Sequence, residues 1–392
     1  MKRLLRLGLI ATVAVAGGFA DACLNDRDSL FIETMGHERD LLKTVIGWFP
    51  VHSSLYYQMR IKRCEAELVT HPEHLAVYDD LAVAYDRQND DVHAIEAIER
   101  KRTYMLAHGI KEHVVVAKPE QYPSKDDIAK SSMDPWYRYY ANAGTFWAHR
   151  WFHSGMPADK EKEWLDRAQT DIDRAIKLNP YAHGLREFAQ AEVIRWVRTG
   201  KPKQKLSDFL EDENLASVEG LATALAGLVD LGGAWESPDV YEALSAQVAL
   251  QTPDLGYFIH LRAEELQRSG KKSRTGLSFA GFENIAKVAD PQKDEQEYKN
   301  LRGAAESYRK DFLAFEQTRL EAGRHPDNDP QFWSGYTEPK FPDYGRRPTP
   351  FIWPPAIFWV LLFSIAAFVV ATLVAIRNWF RGRRVRRESS IE

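Results

Sequence analysis

Along most of this chain apolar residues recur three and four positions apart, the spacing that lines one face of an α-helix. Between Leu55 and Val69 the pattern puts Tyr57, Ile61, Cys64 and Leu68 on one face. It returns over 181–199, through Leu185, Phe188, Ala189, Val193 and Trp196. It then predicts a helix pair over 215–231 and 238–251 about the Leu231-Gly232-Gly233 turn, and another helix over 254–268. A highly charged helix over 291–322 carries Tyr298, Leu301, Phe312 and Phe315. The fold class predicted is all-α. Two stretches break the pattern. Residues 107–135, with Val114-Val115-Val116 and Pro119, read as an extended insertion. Prolines at 326, 330, 339, 342, 348 and 350 predict a semi-rigid stalk over 324–350, because proline removes a backbone donor and restricts the chain.

At the two ends the periodicity gives way to uniform runs. Residues 351–376 hold no charge and exceed the roughly 17–25 residues of a spanning helix. Trp353, Trp359 and Trp379 flank the run at interfacial positions. Arg377, Arg381, Arg383, Arg384, Arg386 and Arg387 follow it, against Glu388 and Glu392, which orients the 377–392 tail to the cytoplasm. At the other end, Met-Lys-Arg-Leu-Leu-Arg precedes an uncharged stretch from Leu7 to Ala20 and an Ala20-Asp21-Ala22 site. This reads as a signal peptide, residues 1–22, with an uncleaved anchor as the alternative. Both ends place the body outside a cytoplasmic membrane. The chain has no Asn-x-Ser/Thr site, which agrees with a bacterial periplasm.

Two hairpins within the body have a more specific pattern. Tyr78, Leu81, Ala82 and Tyr85 precede a polar turn, Asp86–Asp91, after which come Ala94 and Ile98. Ala143, Gly144 and Trp147 similarly precede Ala168, Ile172, Ala175 and Pro180. Small residues opposite large ones let two antiparallel helices approach closely. The spacing resembles the tetratricopeptide repeat, a helical hairpin of about 34 residues. The resemblance is specific over about 72–105 and 139–182 and degenerates toward 270. In the first hairpin Lys101 stands where the family has a small residue, and the closing proline is missing. In the second, the gap to Ala168 exceeds the family's, so its helices are lengthened or Ser154-Gly155-Met156-Pro157 is inserted. The family stacks such hairpins into an α-solenoid with a concave groove. Its groove positions carry over to Asp79, Val83, Asp86 and Arg87, and to Ala141, Thr145, Ala148 and His149.

The resulting organisation is a signal peptide (1–22), an N-terminal helical segment (23–71), a repeat domain (72–290) with the insertion at 107–135, and a long helix (291–323). The stalk (324–350), the transmembrane helix (351–376) and the tail (377–392) follow. Composition permits this: 392 residues, 44% of them apolar and 28% charged, are enough for a sizeable core. Residues 1–22 carry +2 and the tail +4, so a net charge of −4 leaves −10 between them. An acidic body excludes nucleic acid as the expected partner, while the tail suits anionic lipid. Cys23 and Cys64 are permitted a disulfide in an exported compartment, and Cys23 at the mature terminus also raises lipidation.

Candidate chemistry is sparse. His149 and His153 have the i,i+4 spacing of a metal pair, but Arg150 stands where a zinc protease needs glutamate, so no metal is expected. Asp79, Asp80 and Asp86 read as a solvated or groove-lining face. His71 and His74 flank Pro72-Glu73 at a helix start, a structural arrangement. The expectation is a membrane-tethered scaffold that recruits proteins or peptides, with no cofactor and no catalytic residue. One alternative is an exported enzyme, such as a metal-dependent hydrolase, with its site in the insertion or in 200–290. The other is a single-span receptor acting through a cytoplasmic partner.

Overall fold

The computed structural model describes residues 25–28, 40–113, 132–180, 185–218, 220–230, 234–279, 281–282 and 286–344. The predicted signal peptide, transmembrane helix and tail lie outside the described residues, as do Cys23 and residues 114–131 of the insertion. Among the described residues every regular element is helical. The helices are α1 (Leu41–Ile46), α2 (Ser54–Thr70), α3 (Leu75–Asp86), α4 (Asp91–Ala107), α5 (Pro135–His153) and α6 (Ala158–Leu178). They continue with α7 (Arg186–Thr199), α8 (Leu206–Asp212), α9 (Leu221–Asp230), α10 (Pro238–Ala249), α11 (Pro253–Arg268) and α12 (Pro291–Glu321). The short α8 has no counterpart in the periodicity described above. None of these helices is long and apolar enough to cross a membrane.

Local chemistry sets the boundaries. Asp134 accepts hydrogen bonds from the Trp136 and Tyr137 amides at 2.9 and 2.8 Å, with Pro135 at the first helical position. That combination satisfies orphan donors and pre-sets φ, so α5 starts there. Asp90 caps α4 through the His93 amide, and Ser53 caps α2 through that of Tyr56. Gly47 ends α1 at φ +81°, and a β-carbon there would lie 2.4 Å from the Trp235 ring. Glycine is required twice over at that position.

Most helices pack on the next one in the chain, most extensively α3 on α4, α5 on α6 and α10 on α11. In the α5–α6 hairpin a β-carbon on Gly144 would lie 2.7 Å from Ile172 Cγ1 and 2.9 Å from the Ala168 carbonyl oxygen. All three are residues of the second hairpin pattern. Its longer gap comes from lengthened helices, of 19 and 21 residues, joined by a turn at 154–157. Gly256 of α11 approaches Ala249 of α10 in the same manner. A single apolar cluster runs from Cys64 and Leu68 through Tyr78, Leu81, Ala82, Ala94 and Ile98 to Phe146, Ala175 and Leu178.

Two expectations need correction. On α2 the buried stripe is Tyr56, Arg60, Cys64 and Leu68, while Tyr57 and Ile61 are only half-buried. The described part of the proline-rich stretch is not a stalk. Its segment 324–342 belongs to one compact unit with the helices. The reason is the side chains between the prolines: Phe332 is fully buried, Trp333 stacks on Phe312 at 5.0 Å, and Phe341 meets the Trp48 ring edge at 5.2 Å. A second unit begins at Asp343. The chain also turns back on itself, since α12 packs on α1 and α2, with Trp48 stacked on Tyr308 at 4.8 Å.

Candidate functional site

The most concentrated polar chemistry in the described structure lies around α3. This helix turns three aspartates, Asp79, Asp80 and Asp86, inward instead of outward. Asp79 receives both of its oxygens' hydrogen bonds from Lys101 Nζ at 2.8 Å, with Arg138 Nε at 3.2 Å and Asn142 Nδ2 at 3.2 Å. Lys101 is fully buried, and desolvation lowers its ammonium to about 8 despite the attraction of Asp79. The lysine at a position where the repeat family has a small residue therefore has a role: it reaches beneath α3 to neutralise Asp79. Asp80 accepts from Arg27 Nε at 2.7 Å and from the Arg27 amide at 3.0 Å. Burial raises its carboxyl to about 6, with Arg27 opposing.

The segment Asn25–Asp28 lies across this face. Asn142 reads the main chain of Asn25 from both sides: its Oδ1 accepts from the Asn25 amide at 2.8 Å and its Nδ2 donates to the Asn25 carbonyl at 3.0 Å. Arg138 donates to the same carbonyl at 3.0 Å. Arg60, buried within α2, gathers Asp28 at 2.7 Å, Asp327 at 2.7 Å, Asp26 at 3.3 Å and the Tyr56 hydroxyl at 2.5 Å. Asp327 also pairs with Arg63 at 2.9 Å, and its carboxyl falls to about 2 because its hydrogen bonds and charges outweigh desolvation. Arg27 bridges Asp80 and Asp327, so α3, α2, residues 25–28 and residue 327 share one network.

At the far end of α3, Asp86 lies 2.5 Å from His149 Nδ1, and Asp91 lies 2.9 Å from His153 Nδ1. His149 and His153 occupy the last turns of α5, as their spacing predicts, but His149 is buried against α3. His71 and His74 are exposed and stacked on each other at 4.8 Å.

Of the groove positions that the repeat resemblance implies, Asp79, Val83, Asp86, Ala141, Thr145, Ala148 and His149 are all buried. Only Arg87 is partly exposed. The expectation of a solvated face at Asp79, Asp80 and Asp86 is thus corrected. Their partners come from α4, α5 and residue 27, and α7 covers Thr145 through a Gln190 hydrogen bond at 3.1 Å. The repeat positions Tyr78, Leu81, Ala82, Ala94, Ile98, Ala143, Gly144, Ala168, Ile172 and Ala175 are buried, with Tyr85, Trp147 and Pro180 at the margin. Cys64 is buried, has no disulfide partner among the described residues and accepts from Arg63 at 3.1 Å, and desolvation raises its thiol to about 12. No family model matches the sequence, and neither a curated protein nor a solved structure matches it. The residues that sequence reading missed, Asn142, Arg138 and Arg60, carry no local signal beyond a polar side chain in an apolar period.

Proposed function

We propose that this chain is a membrane-tethered protein-interaction scaffold of the tetratricopeptide kind. Its helical body stands on the extracytoplasmic side of the membrane, and residues 351–376 are the anchor. The observation that carries the reading is the grip of Asn142 and Arg138 on the main chain of Asn25. Main-chain hydrogen bonds recognise an extended peptide whatever its side chains, so such a face suits a polypeptide guest. Asp80, which pairs with Arg27 of that segment, favours a guest with a basic residue at the same place. Residues Asn25–Asp28 occupy the face, with Arg27 in the basic position, so a partner segment engages by replacing them.

Binding of basic peptides to the purified full chain tests the reading. Arg27→Ala loosens the resident segment and strengthens peptide binding, whereas Asn142→Ala weakens it. Equal affinity in both variants and the parent would remove the proposal. For topology, alkaline phosphatase fused after Tyr344 should be active in a bacterial host, and the same enzyme fused after Glu392 inactive.

A further inference from the structure

Four side chains that the sequence leaves as ordinary polar groups meet where three helices converge. Asp86 is the last residue of α3, Asp91 the first of α4, and His149 and His153 stand one turn apart at the end of α5. One ligand atom each from Asp86, Asp91 and His149 lies within 4.8 Å of the others, and all three residues are buried. His153 Nδ1 is 2.9 and 3.1 Å from the two Asp91 oxygens, and the two imidazole centroids are 5.5 Å apart.

We propose that these four residues bind one divalent transition-metal ion of the zinc class, in a nitrogen–oxygen site with Nδ1 of each histidine as ligand. A tetrahedral ion with bonds of about 2.0–2.2 Å sets its ligand atoms roughly 3.4 Å apart. The Asp86–His149 and Asp91–His153 distances lie just inside that spacing, and the Asp86, Asp91 and His149 ligand atoms lie within 4.8 Å of one another. Charge also balances. Two carboxylates cancel a divalent cation while both imidazoles stay neutral, as metal ligation requires. Two imidazoles with two carboxylates match borderline ions better than calcium or magnesium, which prefer oxygen alone. With four protein ligands the coordination is closed, so the ion is a structural staple and leaves no position for substrate. It joins the first hairpin, α3–α4, to the first helix of the second. This goes beyond the scaffold reading and stands or falls without it.

The test uses the full chain without a histidine tag, dialysed against EDTA and then titrated with Zn2+ or Co2+. The result expected is one ion per chain, a melting temperature that rises with Zn2+ and drops again with EDTA, and a tetrahedral visible band for Co2+. His153→Gln, at a half-buried position, should melt like the metal-free parent. It should weaken binding by more than the roughly 10–100-fold that losing a second-sphere partner costs. Asp91→Asn serves as the second variant. The exposed set His71, Glu73 and His74 is the competing source of uptake, so His71→Gln with His74→Gln should leave binding unchanged. Absence of stoichiometric uptake overturns the proposal. So does uptake abolished by the His71/His74 pair of changes but not by His153→Gln.

Discussion

Asp327→Asn removes one charge from the carboxylate that ties residues 324–342 to α2. Its side chain is about 1% exposed and contacts Arg60, Arg63 and Arg27. The carboxyl is depressed from 3.8 to about 2. A depressed carboxylate contributes stability that is fully present above its unfolded value of 3.8 and is lost as pH falls toward 2. At roughly 1.4 kcal/mol per pKa unit, the contribution at pH 7 is about 2 kcal/mol. Breaking a buried pair outright costs about 3–5 kcal/mol, but here Asp28 and Asp26 still satisfy Arg60, so the smaller figure applies. The asparagine keeps the shape, so packing of Phe332 is undisturbed. Urea unfolding of the full chain, followed by tryptophan emission, should show a lower midpoint at pH 7. Trypsin should cut after Arg324 faster, because that segment is released first. An unchanged midpoint together with unchanged cleavage refutes the reasoning, since it would mean the arginines gain nothing from Asp327.

Gly144→Ala should destabilise by about 1–3 kcal/mol, because the new methyl meets Ile172 and the Ala168 carbonyl; thermal melting of the variant checks it. Lys101→Met should cost more than Lys101→Met combined with Asp79→Asn, since the single change leaves a buried carboxylate short of its cation; a double-mutant cycle in urea reads the difference. Asp239 is raised to about 6 by burial against its Ser273 and Arg274 donors. The folded state therefore takes up a proton between pH 6 and 3.8 that the unfolded state does not, and stability from this group grows as pH falls. The parent should gain about 1 kcal/mol over Asp239→Asn between pH 7 and 5, by melting at both values.

The helical architecture was legible because its signals are local. Gly144, Ala168 and Ile172 were recognisable from spacing alone, and they meet as that spacing requires. Caps such as Asp134-Pro135 are equally short-range. The site was less legible for the opposite reason. Asp79 looks solvated on its own helix, and only Lys101, 22 residues later, and Arg138 from another hairpin make its burial tolerable. The prolines of 324–342 suggested a spacer because each acts on its own backbone, whereas Phe332 and Asp327 act on α2 across more than 260 residues. His149 and His153 are recognisable in the sequence only by their spacing, with Arg150 in the place of a zinc protease's glutamate. The carboxylates that meet them, Asp86 and Asp91, stand at the helix ends on either side of the Asp86–Asp91 turn.

Arg60 also sets a clock for the folding of this chain. It is made early, yet its partner Asp327 follows 267 positions later. At about 5–20 residues per second, synthesis takes roughly 13–50 s to cover that distance. Until then α2 has a guanidinium on its apolar stripe with Asp26, Asp28 and the Tyr56 hydroxyl to cover it, but not Asp327. The body seals only when Asp327 has emerged, so the packing of α2 waits on a segment near the end of the described residues.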